Sequence, residues 1–507
     1  MKINQLKVGV ILSYISMGAS NIVSLIYTPI MLRLLGQSEY GLYSLVSSVV
    51  SYLGLFNFGF TGCYIRFYTR YKSVNDNKGV ARLNGMFISI YLCLSLLVVL
   101  VGFVFAIKSN IILGTKLSLD ELNTARVLII IMVFNMAFSL PMTIFGAYIN
   151  AHEQFVFQKI LSLIRVLVNP LVILPVLFMG YGSIGLVAAT TLVNVLVSIV
   201  NVVFCLKKLK MKFDFTSFDF ALMLEMTFFS FYIFLNMILD QISWNVDKYI
   251  LGRFRGTATV AVYSLAATLN QYYLAFSSSI SSVFEPRVNK MAILSDNDNI
   301  SKLFVKVGRI QFMVLALICS GFIFFGKSFI SMWAGDNYET SYYIVLLLMI
   351  PITIPLIQNL GITIQRAKNM HKFRSIVLFV IAICNLGISI PLAKAYGGIG
   401  AAAGTAIALI IGPGFIMNWY YNSRLGLDIP SFWKEIISLT KALVIPLVLG
   451  TCFNIYGNLH NLVCFVLLGV LYCVIYCVSM WILGMNDYER NLMSVPIKKL
   501  YNKFKGL

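Results

Sequence analysis

Apolar runs of roughly 20 residues or more follow one another along nearly the whole chain, joined by short polar links. Hydrocarbon offers no hydrogen bonds to a backbone, so such runs must be helices or strands of a closed barrel. None shows the alternation of apolar and polar residues that a barrel strand needs. The expected fold class is therefore all-α integral membrane, with about 14 transmembrane helices, the first near 8–32 and the last near 461–484. Composition points the same way. The chain is 59% hydrophobic and only 11% charged, against about 25% charged in a soluble domain. So few charges cannot solvate a globular surface of 507 residues.

The charges are also unevenly placed. Lysine and arginine number 39 and aspartate and glutamate 19, a net charge of +20. With the N-terminus in the cytoplasm and spans alternating, 26 basic residues fall on inside links and 8 on outside ones. That is the positive-inside pattern, and it places both termini in the cytoplasm. The bias accounts for the basic excess, so no nucleic-acid partner is expected. The run from Val8 is too long for a cleaved leader and reads as a retained first span. The nine cysteines include no Cys-x-x-Cys pair and no accompanying histidine cluster, so neither metal nor cofactor is expected. The chain has no phosphate-binding Gly-x-x-x-x-Gly-Lys loop, no His-Glu-x-x-His and no Gly-x-Ser-x-Gly. It is expected to be a transporter, not an enzyme.

The chain repeats itself at a distance of about 220 residues. Arg33, Gly36, Tyr43, Ser44 and Leu45 recur in the same frame as Arg253, Gly256, Tyr263, Ser264 and Leu265. Tyr181-Gly182-Ser183-Ile184-Gly185 recurs as Tyr396-Gly397-Gly398-Ile399-Gly400, and Asn169 and Pro175 recur as Asn385 and Pro391. An even number of spans separates the copies, so the repeats run parallel. The expected organisation is an N-terminal lobe over 1–212 and a C-terminal lobe over 213–424. Each lobe has six helices, the two enclose a central cavity, and a trailing helix pair with a basic tail covers 425–507.

Charged side chains inside a span cost about 2.5–3.5 kcal/mol at a helix centre and usually face protein or water. In the seventh span, Asn236, Asp240, Ser243 and Asp247 fall on one helical face, with Lys248 next in sequence. The face reads as a cavity lining, with Asp240 and Asp247 as candidate ion-coupling acids. The competing reading pairs Asp247 with Lys248 or Arg253 at the interface. In the first span, Ser13, Ser16, Ser20, Ser24 and Thr28 form a second polar stripe, in which Ser16 and Ser20 correspond to Asn236 and Asp240. Close helix packing explains small residues at that spacing equally well. Lys306 and Arg309, near the start of the ninth span, read as cytoplasmic anchors. Pro141, Pro351, Pro355 and Pro413 mark bends.

Two parallel lobes, a trailing pair and the Leu34-to-Tyr43 segment together resemble the bacterial polysaccharide flippases of the multidrug/oligosaccharidyl-lipid/polysaccharide exporter superfamily. The resemblance implies movement of undecaprenyl-diphosphate-linked oligosaccharide across the bacterial cytoplasmic membrane, with the membrane lipid as host. It also implies H+ or Na+ as candidate coupling ions and association with polysaccharide polymerase machinery. A diphosphate cargo needs cations, and arginine holds phosphate oxygens with a two-pronged fork. Arg165, deep in the fifth span, is the leading candidate, against an ion pair with an acid such as Asp240 or snorkelling to an interface. Arg33 and Arg253, at matching outer ends, are further candidates to meet the head group, or else interface anchors. The rival cargoes are cationic drugs and lipid-linked peptidoglycan precursor. A membrane glycosyltransferase or polymerase would need a large outside loop, which the chain lacks.

Overall fold

Helix follows helix because each apolar run must satisfy its own backbone. The computed structural model describes residues 5–492 and 494, apart from 115, 217, 218, 295, 296 and 369. Lys2 and the basic stretch from Lys498 to Lys505 lie outside the described residues, as do the side chains of Asn236 and Ser243. Among the described residues there are only helices and their links. The chain forms two compact units, Met1–Ser264 and Leu265–Leu507.

The first unit holds α1 (Gln5–Ser51), α2 (Phe60–Ser73), α3 (Asn77–Ile107), the short α4 (Ser109–Leu113), α5 (Leu119–Ala151), α6 (Phe155–Phe178), α7 (Gly182–Val203) and α8 (Phe220–Arg255). Helix α9 (Thr257–Ile293) begins in this unit and continues into the second. The second unit continues with α10 (Asn297–Ala334), α11 (Ser341–Ile357), α12 (Leu360–Ala367), α13 (His371–Leu409), α14 (Met417–Ser423), α15 (Ile429–Thr440), α16 (Val444–Tyr456) and α17 (Leu462–Ser479). Among the described residues, 9 helical stretches are long and apolar enough to cross a membrane, or up to 11 if each of two bent pairs counts as one span. This falls short of the expected 14 partly because neighbours merge. Leu12–Ser73 covers the expected first two spans and Lys372–Ser423 the eleventh and twelfth. Helix α9, the expected eighth, is long but carries Asn270, Gln271 and five serines between Ser277 and Ser282.

The repeat reappears in the backbone. Gly36 (φ 73°, ψ 167°) and Gly256 (φ 91°, ψ 177°) both break a helix in a region of conformational space that only glycine occupies without strain. Gly114 (φ 94°, ψ 176°) and Gly335 (φ 101°, ψ 162°) form a second such pair at nearly the same separation. No side chain announces this second pair, so sequence comparison passes over it.

In the first unit, the two sequence motifs are joined by hydrogen bonds. Glu39 accepts from the Ser183 backbone N–H (2.7 Å) and hydroxyl (2.9 Å), setting a carboxylate against the N-terminus of α7. One residue earlier, the Ser38 hydroxyl donates to Glu121 (2.8 Å) and lies 2.9 Å from the Thr257 hydroxyl, which also donates to Glu121 (2.8 Å). Glu121 and Ser118 form the capping box of α5. A Cβ at Gly41 would overlap the Thr257 carbonyl, so glycine is required there for the close approach.

In the second unit, Arg309 corrects the sequence-based expectation of a cytoplasmic anchor. Its side chain is only 4% exposed, and it grips Glu489, itself 3% exposed, with two bonds of 2.6 and 3.0 Å. It also donates to Glu435 (2.7 Å), to Ser438 (3.2 Å) and to the Gly484 carbonyl (2.9 Å). The guanidinium therefore ties α10 to α15 and to the segment after α17. Lys306 lies 4.5 Å from the centre of the Tyr488 ring. The serines of α9 are also committed: Ser277 donates to the Leu356 carbonyl (2.8 Å), and Gln311 donates to Ser281 (2.6 Å). These bonds let a polar helix sit among apolar ones.

Candidate functional site

Two helical faces with the same spacing enclose a cavity in the first unit that holds an arginine. On α1 they are Ser20, Val23, Ser24 and Tyr27; on α6 they are Ser162, Arg165, Val166 and Asn169, followed by Pro170. Residues three, four and seven apart lie along one side of a helix, so each helix turns one polar strip toward the other. The cavity measures about 310 Å³. The Arg165 side chain is exposed and has no hydrogen-bond or ion-pair partner among the described residues. The Asn169 carbonyl oxygen beside it is buried and likewise unpaired among the described residues. The guanidinium offers an anion a charge, and the serine hydroxyls that share the cavity offer a hydroxylated molecule hydrogen bonds.

The structure thus brings together two of the residues singled out from sequence, Arg165 and Ser20, and adds Ser24 from the same stripe. Tyr27, Ser162 and Asn169 were missed as site residues. The signal was available in the spacing of Ser162, Arg165 and Asn169, but on α6 it is diluted by apolar neighbours. Ser16 is buried and donates to the Lys159 carbonyl at 3.4 Å, one turn away from the cavity.

The remaining candidates stand elsewhere. Asp247 is 5% exposed and accepts a 2.5 Å hydrogen bond from Tyr263 of the repeat motif. Lys248 is half-buried with no partner among the described residues. Asp240 is exposed on α8. Arg253 donates to the Ile111 carbonyl at 2.8 Å, holding the end of α4, and Arg33 is exposed on α1 ahead of the Gly36 break. None of these lines the Arg165 cavity.

A second cavity in the same unit, about 400 Å³, is lined by Tyr43, Ser51, Asn57, Asn135, Ser139, Thr143 and Thr190 among others, with no charged side chain among the described residues. Asn57 accepts from the Tyr91 hydroxyl (2.8 Å) and Ser51 donates to Gln241 (3.0 Å), so its polar groups are partly occupied. Among the described residues no group of three or more His, Cys, Asp or Glu side chains is placed to hold a metal ion.

The fold resembles solved transporters. The structure described as "Lipid II flippase MurJ, inward closed conformation" superposes with a TM-score of 0.75 at 18% identity, covering 96% of this chain and 100% of that one. The inward-facing structure of a multidrug resistance MATE family transporter of the MOP superfamily gives 0.63 at 13% identity, covering 81% and 96%. A crystal structure of a point mutant of the Vibrio cholerae MATE transporter VcmN gives 0.56 at 14%, covering 84% and 98%. At these identities the likeness shows the fold. Among curated proteins, the "Uncharacterized membrane protein EpsK" of Bacillus subtilis (strain 168) is 20% identical over 494 residues, covering 94% of each chain. Residues 6–292 match the family described as "Polysaccharide biosynthesis protein". With more than half of its length inside that match and a run of apolar helices throughout, the chain is a multi-pass membrane protein and belongs to the polysaccharide biosynthesis protein family.

Proposed function

We propose that the protein is a flippase that moves undecaprenyl-diphosphate-linked oligosaccharide across the bacterial cytoplasmic membrane by alternating access. It would do no covalent chemistry. The observation that carries the reading is Arg165, a guanidinium with no partner among the described residues, in a hydroxyl- and amide-lined cavity between α1 and α6. A diphosphate gives a forked cation two oxygens to hold, and serine hydroxyls suit the sugar beside it. Among the described residues no carboxylate lines the cavity, so it does not favour a cationic drug. Family membership supports a glycan pathway, and the MurJ-like fold supports a lipid-linked cargo. That fold also supports a second reading, a lipid-linked peptidoglycan precursor, whose diphosphate would suit Arg165 equally. The lobes at 1–212 and 213–424, with trailing residues 425–507, remain the proposed moving parts, and both termini the proposed cytoplasmic ends.

The test is reconstitution. Purified protein in liposomes is expected to expose fluorescent, undecaprenyl-diphosphate-linked oligosaccharide to an externally added quencher, and to act less on the peptidoglycan precursor. Export of a cationic dye with no action on either lipid would overturn the proposal. In the same liposomes Asp240→Asn is expected to change the response to a pH or sodium gradient. An unchanged response would remove Asp240 as a coupling acid.

A further inference from the structure

We propose that the second cavity of the first unit, the one without a charged lining, is a binding site for an uncharged sugar ring. The inference deepens the flippase reading and rests on it only for the source of that sugar, one residue of the translocated glycan. Three helix faces meet at the cavity. The second half of α1 supplies Tyr43 and Ser47, α5 supplies Asn135, Ser139 and Thr143, and α7 supplies Thr190. The spacing of four keeps each set on one side of its helix. The volume of about 400 Å³ falls within the range of small-molecule pockets, about 300–1,000 Å³. Asn57 reaches the cavity from a break inside the expected second span. The 3-10 turn Tyr52–Asn57 ends at Phe58, a bulky residue held at φ 48°, ψ 14°, and Gly59 follows at φ 71°, ψ 12°. Left-handed backbone is costly for phenylalanine and gathers at functional sites. A broken helix within an apolar run is tolerated where protein or a wet cavity covers it.

Hydrogen-bond capacity decides the ligand. The Asn57 oxygen accepts from the Tyr91 hydroxyl (2.8 Å) and the Asn135 oxygen from the Asn194 amide (3.4 Å). Both Nδ2 groups are thereby left as donors with no partner among the described residues, as are the Tyr43 and Ser47 hydroxyls. The repeat supplies a contrast, since Tyr263, the counterpart of Tyr43, is committed to Asp247. Ser139, Thr143 and Thr190 give their protons to carbonyls of their own helices at 2.7, 2.6 and 2.8 Å, and so present oxygen as an acceptor. Donors and acceptors thus stand side by side with no charge among the described residues. A sugar hydroxyl is both donor and acceptor and matches such an array. An acyl chain would leave these groups unpaired, and an ion would lose its hydration with no counter-charge. Met132, Met136 and Leu140, between the polar residues, suit the C–H face of the ring.

The experiment uses the full chain purified in detergent and three photoreactive probes, the methyl glycosides of glucose, galactose and N-acetylglucosamine, each carrying a diazirine. After irradiation, mass spectrometry is expected to find the label on residues 43–57 and 132–143. The unlabelled form of the best probe is expected to suppress that label at a concentration about tenfold lower than the uronic acid of the same sugar. Tyr43→Phe and Thr190→Val each delete one hydroxyl and keep the shape. Each is expected to weaken the labelling about fivefold with the unfolding temperature unchanged. No label in either stretch from any probe would give the cavity to water and overturn the proposal. Equal suppression by the neutral and the acidic sugar would overturn it too. Label in both stretches of a protein that moves no lipid-linked oligosaccharide would support this site and sink the flippase reading. Transport without label would do the reverse.

Discussion

Arg165→Ala is expected to abolish translocation while leaving the amount of membrane-inserted protein unchanged. The second half of this expectation is as informative as the first. Arg165 has no partner among the described residues, so its removal leaves no buried carboxylate orphaned and no helix end uncapped. What is lost is a charge-assisted fork, whose bonds to an ionised group contribute about 1.5–3 kcal/mol each. Two such bonds correspond to a fall in transport of about 100-fold or more. Arg165→Lys keeps the charge but not the fork and should recover only part of that loss. Surface glycan measured in a strain carrying each variant, with protein quantified in the membrane fraction, checks both halves. Normal glycan with Arg165→Ala would remove the assignment.

Arg309→Ala is expected to do the opposite, depleting the protein without a specific effect on cargo. Its removal strands Glu489, 3% exposed, with no guanidinium. Breaking one side of a buried pair costs about 3–5 kcal/mol, a large share of the stability of any domain. The detergent-purified variant should unfold at a clearly lower temperature and accumulate poorly. Replacing both partners, Arg309→Met with Glu489→Leu, should restore much of the loss, because two apolar groups need no compensation. A single variant as stable as the parent would show that the cluster contributes nothing. The contrast between the two arginines is itself a check, since both are cations inside apolar runs and only their surroundings differ.

Those surroundings explain what could be read in advance. The all-helical class and the multi-pass character follow from local composition, which no distant contact can alter in hydrocarbon. The polar strip of α1 was also legible, because helical periodicity alone places Ser20 and Ser24 on one side. Its pairing with Arg165 was not. Many faces of a helix are compatible with one periodicity, and which of them meets α6 depends on packing. The expected span count differed for a related reason. Hydropathy sees runs and not bends, and at Gly36 two helical runs follow each other across a kink with no intervening loop.

By itself, then, the sequence determined the solvent of this protein, its helices and the internal echo of Gly36 in Gly256, since each depends on residues close together or on direct comparison. Only the tertiary structure decided that Arg165 meets Ser20 and Ser24 of α1, with no partner among the described residues, while Arg309 is clasped by Glu435 and Glu489. Those acids lie more than a hundred residues further along the chain. Coulombic and hydrogen-bond energies act through space over a few ångströms, and separation along a chain says nothing about separation in space.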